Sequence, residues 1–111
     1  MDFEIEIATK DSVLIYDLME KKEAHSGMVS SVASGATLRL NSHLIREAFG
    51  VPEILQLTLS IGKDVAIEVF AAWLYDKLKG RAIKLEIDQT EIQIDKGEIK
   101  KIIIKKIKQS T

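Results

Sequence analysis

The chain has no cysteine and a single proline among its 111 residues. The missing cysteine excludes disulfides, a thiolate nucleophile and a cysteine-ligated zinc site. The first twelve residues, MDFEIEIATKDS, also lack the basic stretch and the apolar run that make up a signal peptide. We therefore expect a cytoplasmic protein.

A long uninterrupted hydrophobic run is absent too, since Lys63, Asp64 and Glu68 fall inside the most apolar window, residues 54–75. Charges at such positions are costly in lipid, so we expect this window to be buried in protein and expect no membrane partner. The net charge of −1 gives no overall attraction to nucleic acid, which we also do not expect as a partner. The length and the 46% content of hydrophobic residues predict one folded domain over residues 1–111.

Groups that could carry catalysis are few. The two histidines, His25 and His43, have no nucleophile or set of metal ligands at a useful spacing, and a helical pairing of His43 with Glu47 supplies only two ligands. The serine-rich stretch between the histidines contains neither a G-x-S-x-G turn nor a G-x-x-x-x-G-K-[ST] phosphate loop. We predict no catalytic residue, no metal and no cofactor, and hence a protein that is not an enzyme.

The first half of the chain shows several short periodic segments. Alternating acidic and apolar residues predict a strand over residues 2–8. A helix of about three turns is expected next, ending near Ser26-Gly27. A loop of small residues, 29–35, then leads to a strand at 36–41 and to a short helical turn over 42–50.

The second half contains two ambiguous segments. Residues 53–79 are apolar in most directions and predict a long buried helix, although every second residue from Leu55 to Ile61 is apolar, as in a strand. A β-hairpin is expected over 82–95. Residues 95–110 fit a helix capped by Asp95, or a further strand. The predicted fold class is α+β, a small sheet packed on a long buried central helix, in the order β-α-β-α-β-β with a C-terminal helix or strand.

Charge is segregated at the C-terminus. Residues 96–111 carry six lysines and one glutamate, a local net charge of +5, which leaves −6 for residues 1–95. This segment has no arginine or aromatic residue to read or stack on bases, so a solvated face is favoured over a nucleic-acid site.

Two groups of residues are candidates for binding. The aromatic and aliphatic side chains around the only tryptophan predict a protein interface on the central helix, formed by Phe70, Trp73, Leu74 and Tyr75. Alternatively, the small-residue loop 29–35 binds a nucleotide or a signalling metabolite, with a pocket formed by Ser30, Ser31, Ser34, Gly35, Arg39 and His43.

The run LQLTLSIGKDVAIEVFAAWLYDKLKGRAIKLEIDQTEIQID, residues 55–95, resembles the effector-associated constant component domains. The resemblance consists of an aliphatic stretch with Gly62, a helix ending in Trp73-Leu74 and basic residues, and a following hairpin. It implies a small interaction component of bacterial conflict systems, without catalytic residues. The chain departs from the family in having Ser, Gly and Ala, rather than a proline-rich connector, before the central helix.

We therefore expect a non-enzymatic protein-interaction module that forms homo-oligomers and acts as an adaptor or inhibitor in a bacterial or phage conflict system. The identity of a partner protein does not follow from the residues.

Overall fold

The structure is a computed structural model that describes residues 1–44 and 50–110, with the backbone alone described at Ser34. The described residues form six strands and three helices, and a 3₁₀ turn at Ala33–Gly35. In chain order the elements are β1 Asp2–Thr9, α1 Leu14–Met19, β2 Val29–Ser31, β3 Thr37–Leu44, β4 Glu53–Ser60, α2 Ile67–Leu78, β5 Ala82–Ile87, β6 Thr90–Ile92 and α3 Lys96–Gln109. The α+β class is confirmed.

One antiparallel sheet holds all six strands, in the order β2-β3-β4-β1-β5-β6. In its centre, Ile5 of β1 lies opposite both Leu57 of β4 and Ile87 of β5. Because side chains alternate along a strand, these buried residues define one apolar face, on which the buried residues of the three helices pack. The opposite face carries polar residues such as Glu6 and Gln56, and none of the three described helices packs on it.

The long central helix expected over 53–79 is replaced by a strand, β4, and a shorter helix, α2. Leu55, Leu57 and Leu59 are buried. The neighbouring strands β1 and β3 pair with β4 and supply the hydrogen-bond partners of its backbone on both sides. Helix α2 has 12 residues and buries only one side. The order is therefore β-α-β-β-β-α-β-β-α. Strand β2 was not predicted, and β4 is the strand that the alternation from Leu55 to Ile61 had offered as the alternative to helix.

The first helix is also shorter than expected. Helix α1 has six residues, because Glu20 adopts a left-handed conformation with φ 54° and ends it there. The chain reaches Ser26-Gly27 without helix. In the expected helical turn over 42–50, His43 and Leu44 belong to β3 instead, and residues 45–49 lie outside the described part of the chain.

The part of the chain from β5 onward matches its prediction closely. Asp88 and Gln89 have φ of 49° and 67°, as the two central residues of a tight hairpin turn between β5 and β6 require. Residues 96–109 are helical, and the Asp95 side chain accepts a hydrogen bond from the Glu98 backbone N–H at 3.1 Å. This capping contact selects helix over the alternative strand.

A polar corner joins the end of β1 to the turn between α2 and β5. Arg81 Nε donates to Asp11 Oδ2 at 2.6 Å, and Arg81 Nη1 lies 2.8 Å from Asp17 Oδ2. The Thr9 hydroxyl, fully buried, donates to the Arg81 carbonyl at 2.7 Å. The guanidinium holds the pKa of Asp11 below its usual value, with a second contribution from the Val13 backbone N–H.

Within residues 1–44 and 50–110, no helix has the length and apolar character needed to cross a bilayer.

Candidate interaction surfaces

Acidic side chains cluster on the face of the sheet that has no helix. Glu6 of β1 lies opposite Glu86 of β5, and Glu86 lies opposite Glu91 of β6, so three carboxylates stand side by side on adjacent strands. Neighbouring strands are about 4.8 Å apart, and like charges directly opposite each other destabilise a sheet. We call Glu4, Glu6, Glu86 and Glu91 the acidic patch.

The acidic patch is partly compensated by nearby donors. Lys84 Nζ lies 3.3 Å from Glu86 Oε1 and 3.7 Å from Glu91 Oε1, and the pKa of Lys84 is raised chiefly by its hydrogen bond to Glu86. Glu6 Oε1 accepts a hydrogen bond from Gln56 Nε2 at 3.0 Å. Among the described residues, no cation forms an ion pair with Glu4 or Glu6. A hollow of about 340 Å³ lies on this surface, and its polar lining consists of Glu4, Glu6, Asn41, Gln56, Glu86 and Gln89.

Arg39, proposed above as a ligand-binding residue, belongs to a polar network on the same face of the sheet. Its Nε donates to Asn41 Oδ1 at 3.1 Å, and Asn41 Nδ2 donates to the Thr58 hydroxyl at 2.8 Å. The hydroxyl of Thr58, a residue only 3% exposed, donates to Glu4 Oε1 at 3.2 Å. This network links β3 through β4 to β1, so it already uses the polar atoms of Asn41 and Thr58.

A β-bulge at Asn41 decides where His43 points. The pairing of β3 with β4 steps from Leu40 opposite Leu57 to Ser42 opposite Gln56, which leaves Asn41 as the extra residue. The inserted residue reverses the alternation, so that His43 lies opposite Leu55, on the apolar face. There its Nε2 is hydrogen-bonded to Glu53 Oε2 at 2.9 Å, and both side chains are largely buried.

The six residues of the predicted ligand pocket are therefore not brought together. Ser31 lies opposite Thr37 on the outer face near one end of β3, whereas His43 lies six residues further along that strand, roughly 20 Å away at about 3.3 Å per residue, and on the other face. Ser30 is buried opposite Leu38. The loop expected over 29–35 contains strand β2 and a 3₁₀ turn that includes Ser34 and Gly35.

The residues predicted to form a protein interface divide into two pairs. Phe70 is fully buried and Leu74 is 1% exposed, so both belong to the core of the protein and have no surface to offer a partner. Trp73 and Tyr75 are half-buried. The Trp73 ring packs at 5.8 Å from the Phe70 ring, and Lys77 Nζ lies 5.8 Å from the Trp73 ring centroid.

Val69 is a surface residue that the sequence interpretation placed among the buried ones. It lies one helical turn before Trp73 and is 53% exposed, so the two side chains are neighbours on the surface of α2. The pattern carried one relevant signal, because Asp76, three residues after Trp73 and next to it on the helix surface, is charged and exposed. We call Val69 and Trp73 the α2 surface.

Lys101 and Lys105 of α3 lie opposite its buried residues. Ile99, Ile102 and Ile103 pack in the core, which by the helical repeat directs Lys101 and Lys105 to solvent. A shallow hollow of about 420 Å³ follows this side of the helix, and we call its lysines the lysine face: Lys100, Lys101, Lys105 and Lys108. Lys100 Nζ also lies 3.7 Å from Glu68 Oε2, which places the lysine face beside the exposed side of α2.

In the described part of the chain, no group of three or more His, Asp or Glu side chains is arranged to hold a metal ion. Every buried side-chain N or O atom there has a hydrogen-bond partner. The interior polar groups are thus accounted for by the fold, and the surfaces remain as candidate sites.

Comparison with protein-family models, with curated proteins and with solved structures finds no match to this chain.

Proposed function

We propose that this chain is a non-enzymatic protein-interaction module that self-associates through the outer surface of its helix layer. The observation that carries the proposal is the α2 surface, where Val69, 53% exposed, lies beside the half-buried Trp73. A large aromatic side chain that keeps accessible area next to an exposed aliphatic residue is typical of the centre of a protein interface.

The resemblance of residues 55–95 to effector-associated constant component domains supports a more specific role. We extend the proposal accordingly to an adaptor or inhibitor of a bacterial or phage conflict system. The helix that contains Trp73-Leu74 is the part of the resemblance that includes the α2 surface.

Light scattering of the purified chain across a concentration series tests the self-association. Val69→Lys places a charge in the proposed contact, and we expect it to weaken association by about tenfold or more, equivalent to about 1.4 kcal/mol. Val13→Lys is a matched control, because Val13 has the same exposed fraction of 53% but precedes α1. A wild-type chain that is monomeric throughout the series, or equal losses in the two variants, contradicts the proposal.

A further inference from the structure

We propose that two copies of this chain bind head to tail, with the lysine face of α3 in one copy against the acidic patch on the open sheet face of the next. This inference rests on the self-association proposed above. It adds the surface of the second copy, the acidic patch, that the helix layer of the first copy contacts.

The two surfaces carry opposite charge within a chain that is nearly neutral. Helix α3, Lys96–Gln109, has six lysines and one glutamate, whereas residues 1–95 carry a net charge of −6. The helices cover the apolar face of the sheet and the acidic patch lies on the other face, so the two charged surfaces point away from each other. One copy therefore cannot neutralise its own acidic patch with its own lysine face, but a second copy can.

The acidic patch favours a cationic partner for a local reason. Glu6, Glu86 and Glu91 stand in register on three adjacent strands, and Lys84 is the cation that pairs with the last two of them. Glu6 receives a hydrogen bond from the neutral Gln56 and no ion pair from the described residues. Added positive charge relieves the repulsion between these carboxylates, so docking a lysine-bearing helix stabilises the sheet as well as the contact.

The dimensions of the two surfaces also allow the contact. The lysine face lies along the outer side of a 14-residue helix, about 21 Å long at 1.5 Å per residue. The acidic patch borders a hollow of about 340 Å³ on a twisted sheet. A helix laid across this hollow places Lys101 and Lys105, one turn apart, within reach of carboxylates on neighbouring strands.

A contact between two different surfaces is heterologous, so a pair of bound copies still presents one free lysine face at one end and one free acidic patch at the other. The proposal thus predicts chains or closed rings whose size grows with concentration and shrinks with salt, because exposed ion pairs are screened over about 10 Å at 0.1 M salt.

Sedimentation velocity of the full chain at low and high salt tests this arrangement with two double variants. Lys101→Gln/Lys105→Gln removes charge from the lysine face, and Glu6→Gln/Glu86→Gln removes charge from the acidic patch. The matched controls, Lys10→Gln/Lys22→Gln and Glu20→Gln/Glu23→Gln, make the same change in net charge at exposed positions elsewhere. Urea unfolding of all four variants verifies that each is folded.

We expect each test variant to associate about tenfold more weakly than the wild type, and each control to associate as the wild type does. Mixing the two test variants should restore a one-to-one dimer, because the first keeps an intact acidic patch and the second an intact lysine face. Wild-type association that is insensitive to salt and to both test variants overturns the head-to-tail contact and leaves the proposed self-association standing. A wild-type chain that sediments as a monomer at low salt overturns both.

Discussion

Replacing Asp11 by asparagine tests whether the polar corner stabilises the fold. Asparagine keeps the size of the side chain and the oxygen that accepts from the Val13 N–H at 2.9 Å, but it removes the charge and places an amide NH₂, which is a donor, where Oδ2 accepts from Arg81 Nε at 2.6 Å. Arg81 stays paired with Asp17, so the change leaves no guanidinium without a partner. The variant therefore removes one charge-assisted hydrogen bond and leaves two donors facing each other in its place.

The expected loss follows from the exposure of the pair. Charge-assisted hydrogen bonds contribute about 1.5–3 kcal/mol when they are shielded from water, and exposed ion pairs about 0.2–1 kcal/mol. The side chains of Arg81 and Asp11 are 26% and 32% exposed, between these limits. We expect Asp11→Asn to lower the free energy of unfolding by about 1 kcal/mol at neutral pH.

The loss should depend on pH in a defined direction. Arg81 lowers the pKa of Asp11 in the folded state, so the stabilisation is fully present above the unfolded-state pKa of about 3.9 and disappears as the pH falls through the lower folded-state value. Urea unfolding of wild type and variant at neutral pH and in acid measures this difference. Asp76→Asn, in a pair with Lys79 whose side chains are 67% and 59% exposed, is the control and should change little. The reasoning is refuted if Asp11→Asn is as stable as the wild type at neutral pH. It is also refuted if the two differ by the same free energy of unfolding in acid as at neutral pH.

Two further substitutions test the assignment of residues to core and turn. Leu74→Ala should lower the free energy of unfolding by about 2–5 kcal/mol in urea titrations, because Leu74 is a core residue, whereas a purely interfacial role predicts little change in the monomer. Gln89→Gly should raise the free energy of unfolding by about 1 kcal/mol, because Gln89 has a φ of 67° that glycine adopts freely. The gain is measured as a higher midpoint of thermal unfolding. Thr90→Gly, in strand β6, is its control and should lower the midpoint.

The elements that were predicted well are those with a strong local signal. The acidic and apolar alternation of β1, the hairpin of β5 and β6, and the capping of α3 by Asp95 are all visible in short windows of sequence. The chain from Glu53 to Ser60 was the clearest failure, because its leucines satisfy both a strand and a buried helix. Only the pairing with β1 and β3, which is not local, decides between them.

The candidate surfaces were less predictable for the same reason. On α2, Val69 and Trp73 fall on one apolar stripe and Phe70 and Leu74 on another, and only the position of the sheet determines which is buried. The direction of His43 depends on one inserted residue, Asn41, that no pattern in β3 indicates. The acidic patch arises from the register of β1, β5 and β6, whereas the lysines of α3 are evident from composition alone.

The central claim, that the α2 surface is a contact between copies of this chain, is tested most directly by the fluorescence of Trp73. It is the only tryptophan, so its emission reports on this surface without interference. We predict that dilution exposes the indole to water and shifts its emission to longer wavelength, and that Val69→Lys shows the diluted spectrum at every concentration. An emission maximum that is independent of concentration in the wild type contradicts the claim.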